Sequence, residues 1–192
     1  MSAALKLPIY MTVQEFLAWS PGDHSDYELV NGEPRAMAPA ATIHGYLQNE
    51  IGRLIGNHLI AHRPGCSAIT TPGIIPRLLS AHNFRIPDLG VTCAPVEPEQ
   101  LSLPDPILLV EILSPSNQAD TWSNVWTYTT IPSVQEILIL HSTRVAADLL
   151  RRSGGGGWPD EPEHVTEGDL MLASIGFCVA MVDLYARTGL VR

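Results

Sequence analysis

Two carboxylates set inside apolar runs are the residues of this chain best suited to chemistry. Arg85-Ile86-Pro87-Asp88 opens the run Leu89-Gly90-Val91-Thr92, and Ile107-Leu108-Leu109-Val110 leads into Glu111-Ile112-Leu113, with Glu111 lying 23 residues beyond Asp88. Each run reads as a buried strand. An acid within such a strand is costly unless it is paired or coordinates a metal. Two of them on neighbouring strands make the minimal cradle for Mg²⁺ (or Mn²⁺), a hard cation that takes oxygen ligands. The chemistry expected from that pair is metal-assisted hydrolysis of a phosphodiester. Blander roles stand beside it: Glu111 as a strand-end acid paired to an arginine, Asp88 as a turn cap after Pro87.

These acids need elements to position them. Thr12-Val13-Gln14-Glu15 is a capping-box signature, so a short helix is expected to start near residue 12 and to end by Pro21-Gly22-Asp23. Tyr27 to Val30, then Asn31-Gly32, then Glu33 to Met37 reads as a hairpin, because Asn-Gly tolerates positive φ at both central positions. Ile43, Leu47, Ile51, Leu54, Ile55 and Leu59 recur at helical spacing and predict the longest helix, Thr42 to about Ala61. Strands are expected at Ser67–Thr71, Gly73–Leu78, Asp88–Cys93, Ile107–Leu113, Glu136–His141 and Val145–Arg151, with a helix from about Asn117 to Thr130. Gly154 to Gly157 reads as a flexible turn. Asp169–Leu172 and Val182–Tyr185 read as a last strand and a short closing helix. This alternation fits a mixed α/β sheet, in a single domain over residues 1–192 with residues 1–10 as an N-terminal tail.

Composition narrows the partners. The chain has 192 residues, 45% of them hydrophobic, enough for a real core. Twenty acids against eleven basic residues leave a net charge of −9, the wrong sign for a protein that lives by non-specific phosphate contacts. Ten of the eleven are arginines, and the one lysine is Lys6 in the tail. Neither a signal peptide nor a membrane-spanning run is evident. Cys66, Cys93 and Cys178 are odd in number and widely spaced, so free, buried thiols and a cytoplasmic location are expected.

Several of these motifs together resemble a known family. Tyr27-Glu28-Leu29-Val30-Asn31-Gly32-Glu33, the helix with His44, Arg85-Ile86-Pro87-Asp88, Glu111-Ile112-Leu113-Ser114-Pro115-Ser116, Tyr128-x-x-Ile131-Pro132-Ser133-Val134-Gln135-Glu136 and Ser174-Ile175-Gly176 look like the Uma-type restriction endonucleases, part of the PD-(D/E)xK nuclease superfamily. The resemblance runs from about Met11 to Tyr185. It implies a restriction-endonuclease-like core, a central mixed β-sheet flanked by helices, and Mg²⁺-dependent cleavage of DNA. Asp88 and Glu111 would then hold the metal, with Glu28 and His44 close to it. Many superfamily members carry a lysine two residues after the Glu, where this chain has Leu113. The Uma-type pattern places it on the following helix, four residues after an acid and four before a tyrosine. Here that stretch runs from Asp120 to Tyr128 and Asn124 holds the lysine position. Arg85 is the nearest substitute cation, although an arginine fork does not donate a proton as an amine does.

Other features carry bland and functional readings together. His58 and His62 have ligand spacing but no third ligand, which favours a surface pair. Ser114-Pro115-Ser116 lacks the context of a nucleophile motif and reads as the turn before the next helix. Trp122 and Trp126 fit core packing first, then a stacking or interface patch. Three functions stay open: a nuclease acting on DNA with Asn124 or Arg85 assisting; a catalytically inactive nuclease fold serving as a binding or regulatory module, as a homodimer; and an interaction domain that never touches nucleic acid.

Overall fold

The computed structural model describes residues 9–115 and 117–191; the tail's residues 1–8, with Lys6, and Ser116 of the Ser-Pro-Ser motif lie outside them. Its centre is a six-stranded mixed sheet of order β3-β4-β5-β6-β7-β8. The strands are β3 Ser67–Thr70, β4 Leu89–Thr92, β5 Pro106–Leu113, β6 Glu136–His141, β7 Ala147–Arg151 and β8 Glu163–Val165. Only β5 and β6 are parallel; their crossover is helix α3, Gln118–Tyr128. A parallel pair requires such a crossover, because a tight turn cannot reverse the chain twice.

Side-chain alternation along the strands sends two apolar sets to opposite faces. On one face, Leu47, Ile51, Ile55 and Leu59 of helix α2 (Thr42–His62) pack with Val110, Ile112, Leu138 and Leu140. On the other, Val125 and Tyr128 of α3 pack with Leu109, Leu113, Ile137 and Ile139. Glu111 falls between Leu109 and Leu113 in that second set.

A smaller cluster joins the N-terminal elements to this core. Helix α1 (Val13–Ala18) has the expected capping box: Glu15 N–H donates to Thr12 Oγ1 at 3.3 Å, and Thr12 N–H to Glu15 Oε2 at 2.7 Å. The hairpin of β1 (Tyr27–Val30) and β2 (Glu33–Ala36) turns on Asn31 and Gly32 at φ 52° and 88°, the mirror-image turn that Asn-Gly favours. Leu29 exchanges both backbone hydrogen bonds with Phe84, and Ile74 does so with Arg85. This three-segment ribbon fixes Glu28, Arg85 and Ile86 at one end of the large sheet. The tail of the fold is a separate two-stranded sheet, β9 (Asp169–Leu172) with β10 (Phe177–Ala180), followed by α4 (Met181–Leu184).

Three expectations are corrected. Gly73–Leu78 is not a strand; its one strand-like pairing is the Ile74–Arg85 bridge, because Pro76 has no N–H to give to a ladder. Strands β8 and β10 are additional to those expected. They are three and four residues long, too short to leave a periodic trace. Finally, Cys66 and Cys93 are joined by a disulfide and Cys178 is exposed, so none of the three is a buried free thiol. The reason is register: Ser67 pairs with Thr92, so the next residues outward face each other across β3 and β4.

One buried acid ties the sheet to the C-terminal hairpin. The Glu136 carboxylate, 1% exposed, accepts from Arg151 Nε at 2.7 Å, Ser174 N–H at 2.8 Å and Ala173 N–H at 3.1 Å. Glu136→Ala takes the acceptor from two backbone donors and one of the partners of Arg151, which keeps Glu163 and the Met171 carbonyl, so it should lower the unfolding free energy by about 1–2 kcal/mol. Urea titration followed by circular dichroism reads this; an unchanged midpoint would mean the cluster contributes nothing to stability.

Candidate functional site

Antiparallel pairing of β4 with β5 sets Leu89 opposite Val110, which brings Asp88, just before β4, level with Glu111. Asp88 is locked from two sides. Its Oδ2 accepts from Ile112 N–H at 2.6 Å and lies 3.3 Å from His44 Nε2, while its own carbonyl accepts from Gln48 Nε2 at 2.9 Å. His44 and Gln48 are one turn apart on α2, so that helix grips the start of β4. Glu111, 6% exposed, accepts at Oε1 from the hydroxyl of Tyr128 at 2.8 Å.

Glu28 arrives from the N-terminal ribbon. Its Oε1 accepts from Ile86 N–H at 2.7 Å, and both its oxygens lie 3.4 Å from Asn124 Nδ2. Arg85 Nη1 stands 3.9 Å from Glu28 Oε2; the arginine is 3% exposed, and its Nε has no hydrogen-bond partner. His44 Nδ1 is likewise buried and unpartnered. The structure thus brings together every site residue expected from the sequence: Glu28, His44, Arg85, Asp88, Glu111 and Asn124. Leu113 belongs to the apolar cluster beneath α3.

The electrostatics are those of crowded, desolvated acids. Burial pushes the Glu111 carboxyl well above the usual carboxylate range, and the neighbouring Asp88 and Glu28 charges push it the same way. Hydrogen bonds from Tyr128 and Asn124 act in the opposite sense. Burial also raises Glu28, against the Ile86 hydrogen bond, the Arg85 charge and the Asn124 amide. The Tyr128 phenol is driven far up by its own burial and by Glu111 and Glu28. Burial lowers Arg85, with Glu28 pulling it back up.

Three carboxylates therefore converge with one arginine, a donor set of hard oxygens whose negative charge exceeds its local compensation. That suits a divalent cation. As the side chains stand, no group of three or more His, Cys, Asp or Glu among the described residues is disposed around one point as a finished coordination shell. The cause is visible: Asp88 Oδ2 and Glu111 Oε1 each face a protein donor, and Glu28 is turned towards Ile86 and Asn124.

Tyr128 is the site residue that sequence reasoning used only as a spacing marker. Its position four residues after Asn124, on the same face of α3, was the available signal. Backbone donors from Ile86 and Ile112 left no trace in the sequence, since they depend on register. The other candidates resolve as architecture. His58 stacks on His62 at 4.6 Å and lies 3.0 Å from the Ile175 carbonyl through Nε2. The Asn117 carboxamide accepts from Ser114 N–H at 2.8 Å and closes the turn before α3. Trp122 packs against the α3-side core, whereas Trp126 is 44% exposed.

Comparison with known proteins agrees with this architecture. The family model described as "Uma2: Putative restriction endonuclease" matches residues 13–178, and the chain belongs to that family. An uncharacterized protein of Synechocystis sp. is 28% identical over 177 residues, covering 91% of each chain. A crystal structure of a "putative nuclease belonging to DUF820" from Anabaena variabilis has the same fold, with a TM-score of 0.75 at 18% identity, over 93% of this chain and 99% of that one.

The raised Glu111 carboxyl links folding to pH. A folded-state pKa above the unfolded one contributes stability below the ordinary carboxylate pKa and loses it as pH climbs through the raised value. In chelator-treated protein the urea midpoint should fall over that climb. Glu111→Gln, uncharged at every pH, should flatten the fall, and Tyr128→Phe, which removes a donor to the ionised form, should steepen it. A native profile identical to that of Glu111→Gln would contradict the assignment.

Proposed function

We propose that this chain is a Mg²⁺- or Mn²⁺-dependent DNA endonuclease that hydrolyses phosphodiester bonds at the Glu28–Asp88–Glu111 cluster. The observation that carries this is the convergence of three carboxylates from three separate segments beside a buried arginine, in a chain of this family. Asp88 and Glu111 would hold the cation, with Glu28 and His44 completing its surroundings. A cation bound there polarises the scissile phosphate and lowers the pKa of an attacking water.

The chain's own residues supply the rest. Tyr128 and the Ile112 N–H hold Glu111 and Asp88 in place. The Asn124 carboxamide can orient a water or a phosphate oxygen, and Arg85 provides the one fixed positive charge in the cluster for the charge that develops on phosphate. No helix among the described residues is long and apolar enough to cross a membrane. We place the activity in the cytoplasm on the ground that DNA is within reach there; with Cys66 and Cys93 joined in a disulfide, free thiols do not support that location.

A second reading has its own support: a catalytically inactive nuclease fold that binds or regulates, acting as a homodimer. Asn124 is neutral where the family pattern has a lysine, Arg85 is buried beside Glu28, and Trp126 leaves an exposed aromatic surface on the same helix.

Plasmid nicking with Mg²⁺ or Mn²⁺ separates the two. Native protein should nick, Asp88→Ala should lose activity on the order of 10²-fold or more, and Asn124→Lys should raise it by up to about 10²-fold. Equal nicking by native and Asp88→Ala would expose a contaminant. Silence from native protein with activity in Asn124→Lys would establish the inactive module and name the residue responsible.

A further inference from the structure

A cavity of about 180 Å³ opens at the same end of the sheet as the carboxylates, lined by Ser114, Gln118, His141, Thr143 and Arg144. Its relation to the candidate site follows from register. Glu111 pairs with Ile139 and Leu113 with His141, so His141 lies two residues beyond the level of Glu111 on the adjacent strand. Alternation puts both side chains on the α3 face. Two strand residues and one inter-strand spacing separate them by about 8 Å.

Gln118, Thr143 and Arg144 bring hydrogen-bond donors to a lining shared with Leu113 and Pro115, the Ser114 hydroxyl already donates to Asn117 Oδ1 at 2.9 Å, and the acid that meets His141 is engaged. Asp148, 5% exposed, lies 2.9 Å from His141 Nε2 through Oδ2 and 2.6 Å from His164 Nδ1 through Oδ1. A carboxylate only accepts, so His141 donates to Asp148 from Nε2. Arg144 has no hydrogen bond or ion pair among the described residues. Arg144 is exposed and shares this state with Arg77 and Arg187, but it alone of the three lines this cavity; Arg53 pairs with Glu50, Arg85 lies by Glu28, Arg151 binds Glu136 and Glu163, and Arg152 is held by three backbone carbonyls.

We propose that this cavity is a phosphate subsite for the nucleic-acid backbone, seating a phosphodiester group of the strand near the one to be cut, with Arg144 as its charged contact. The subsite rests on the nucleic-acid reading above and extends it: the cluster around Glu111 performs the chemistry, and the Arg144 cavity sets where the strand lies. It gives an acidic chain a local cationic contact that its net charge of −9 does not supply.

The test is read by binding, so that it does not depend on cleavage. Fluorescence anisotropy of a labelled DNA duplex is measured from 50 to 200 mM salt on the Asp88→Ala background, with Arg144→Ala, Arg144→Lys, Gln118→Glu and, as control, Arg77→Ala at the far end of α3. Arg144→Ala should bind about three- to tenfold more weakly at low salt, with the slope of log K against log salt reduced by about 0.9, the signature of one lost phosphate contact. Arg144→Lys should recover most of the affinity, Gln118→Glu should weaken it by repulsion, and Arg77→Ala should match the parent. Inorganic phosphate should compete with DNA on the parent more than on Arg144→Ala if the site takes phosphate as such.

Overturning results are equally concrete. An Arg144→Ala protein that binds like its parent, an Arg77→Ala protein that loses as much, or a parent that binds no DNA would each end the proposal. Arg144-dependent binding by a native chain that never nicks plasmid would leave the subsite standing and remove the nuclease. Nicking by native protein with Arg144→Ala unaltered in binding and rate would do the reverse.

Discussion

The burial of the Glu111 carboxylate inside a six-stranded sheet is the constraint on which the other features turn. A charge in that position has lost its water, and the cost stands unless neighbours replace the lost hydrogen bonds. Helix α3 supplies the Tyr128 hydroxyl and sets the Asn124 amide nearby, so the helix must cross over the C-terminal end of β5 and not merely near it. The parallel pairing of β5 with β6 is what allows this, because the crossover has to return along the same face. The same pairing delivers His141 to the sheet end beside Glu111, so one topological choice builds both the acid cluster and the cavity next to it.

The second constraint is the scarcity of cations. With eleven basic residues against twenty acids, each arginine that is spent on architecture is lost to the surface. Arg151 and Arg152 bind the strand ends and the loop beneath Trp158, whose ring lies 4.9 Å from the Arg152 guanidinium. Arg85 is the exception, placed among carboxylates with its Nε unsatisfied. A buried donor without a partner is costly in a finished core, yet it is suited to a site that receives an anionic ligand. Phosphate oxygens are such a ligand.

How much of this was legible in the sequence depended on how local the cause was. The α1 capping box, the Asn31-Gly32 turn and the α2 periodicity are each decided within a few residues, and each element stands within a residue or two of its expected place. The site residues could be named because an acid in an apolar run is conspicuous, and the resemblance added Glu28, His44 and Asn124. What depends on register was hidden. The Cys66–Cys93 bridge, the backbone donors to Asp88 and Glu28, and the Asp148–His141–His164 cluster all require knowing which residues face one another across strands. Gly73–Leu78 misled because its apolar content suggests a strand while Pro76 within it interrupts the ladder.

Asn124, where the resemblance implies a lysine, bears on function through charge balance. Three carboxylates, Glu111 buried and Glu28 and Asp88 half-buried, facing one arginine leave the cluster short of positive charge, and a lysine would have met part of that need. Without it, the folded chain carries a heavier electrostatic load, and burial together with the Asp88 and Glu28 charges pushes the Glu111 carboxyl well above the usual carboxylate range. A purely architectural core would be better served by apolar side chains of similar volume, since replacing buried ionic groups in that way is often neutral or stabilising. The load is therefore expected of a site in which the missing charge comes from outside the chain. A divalent cation fits that role.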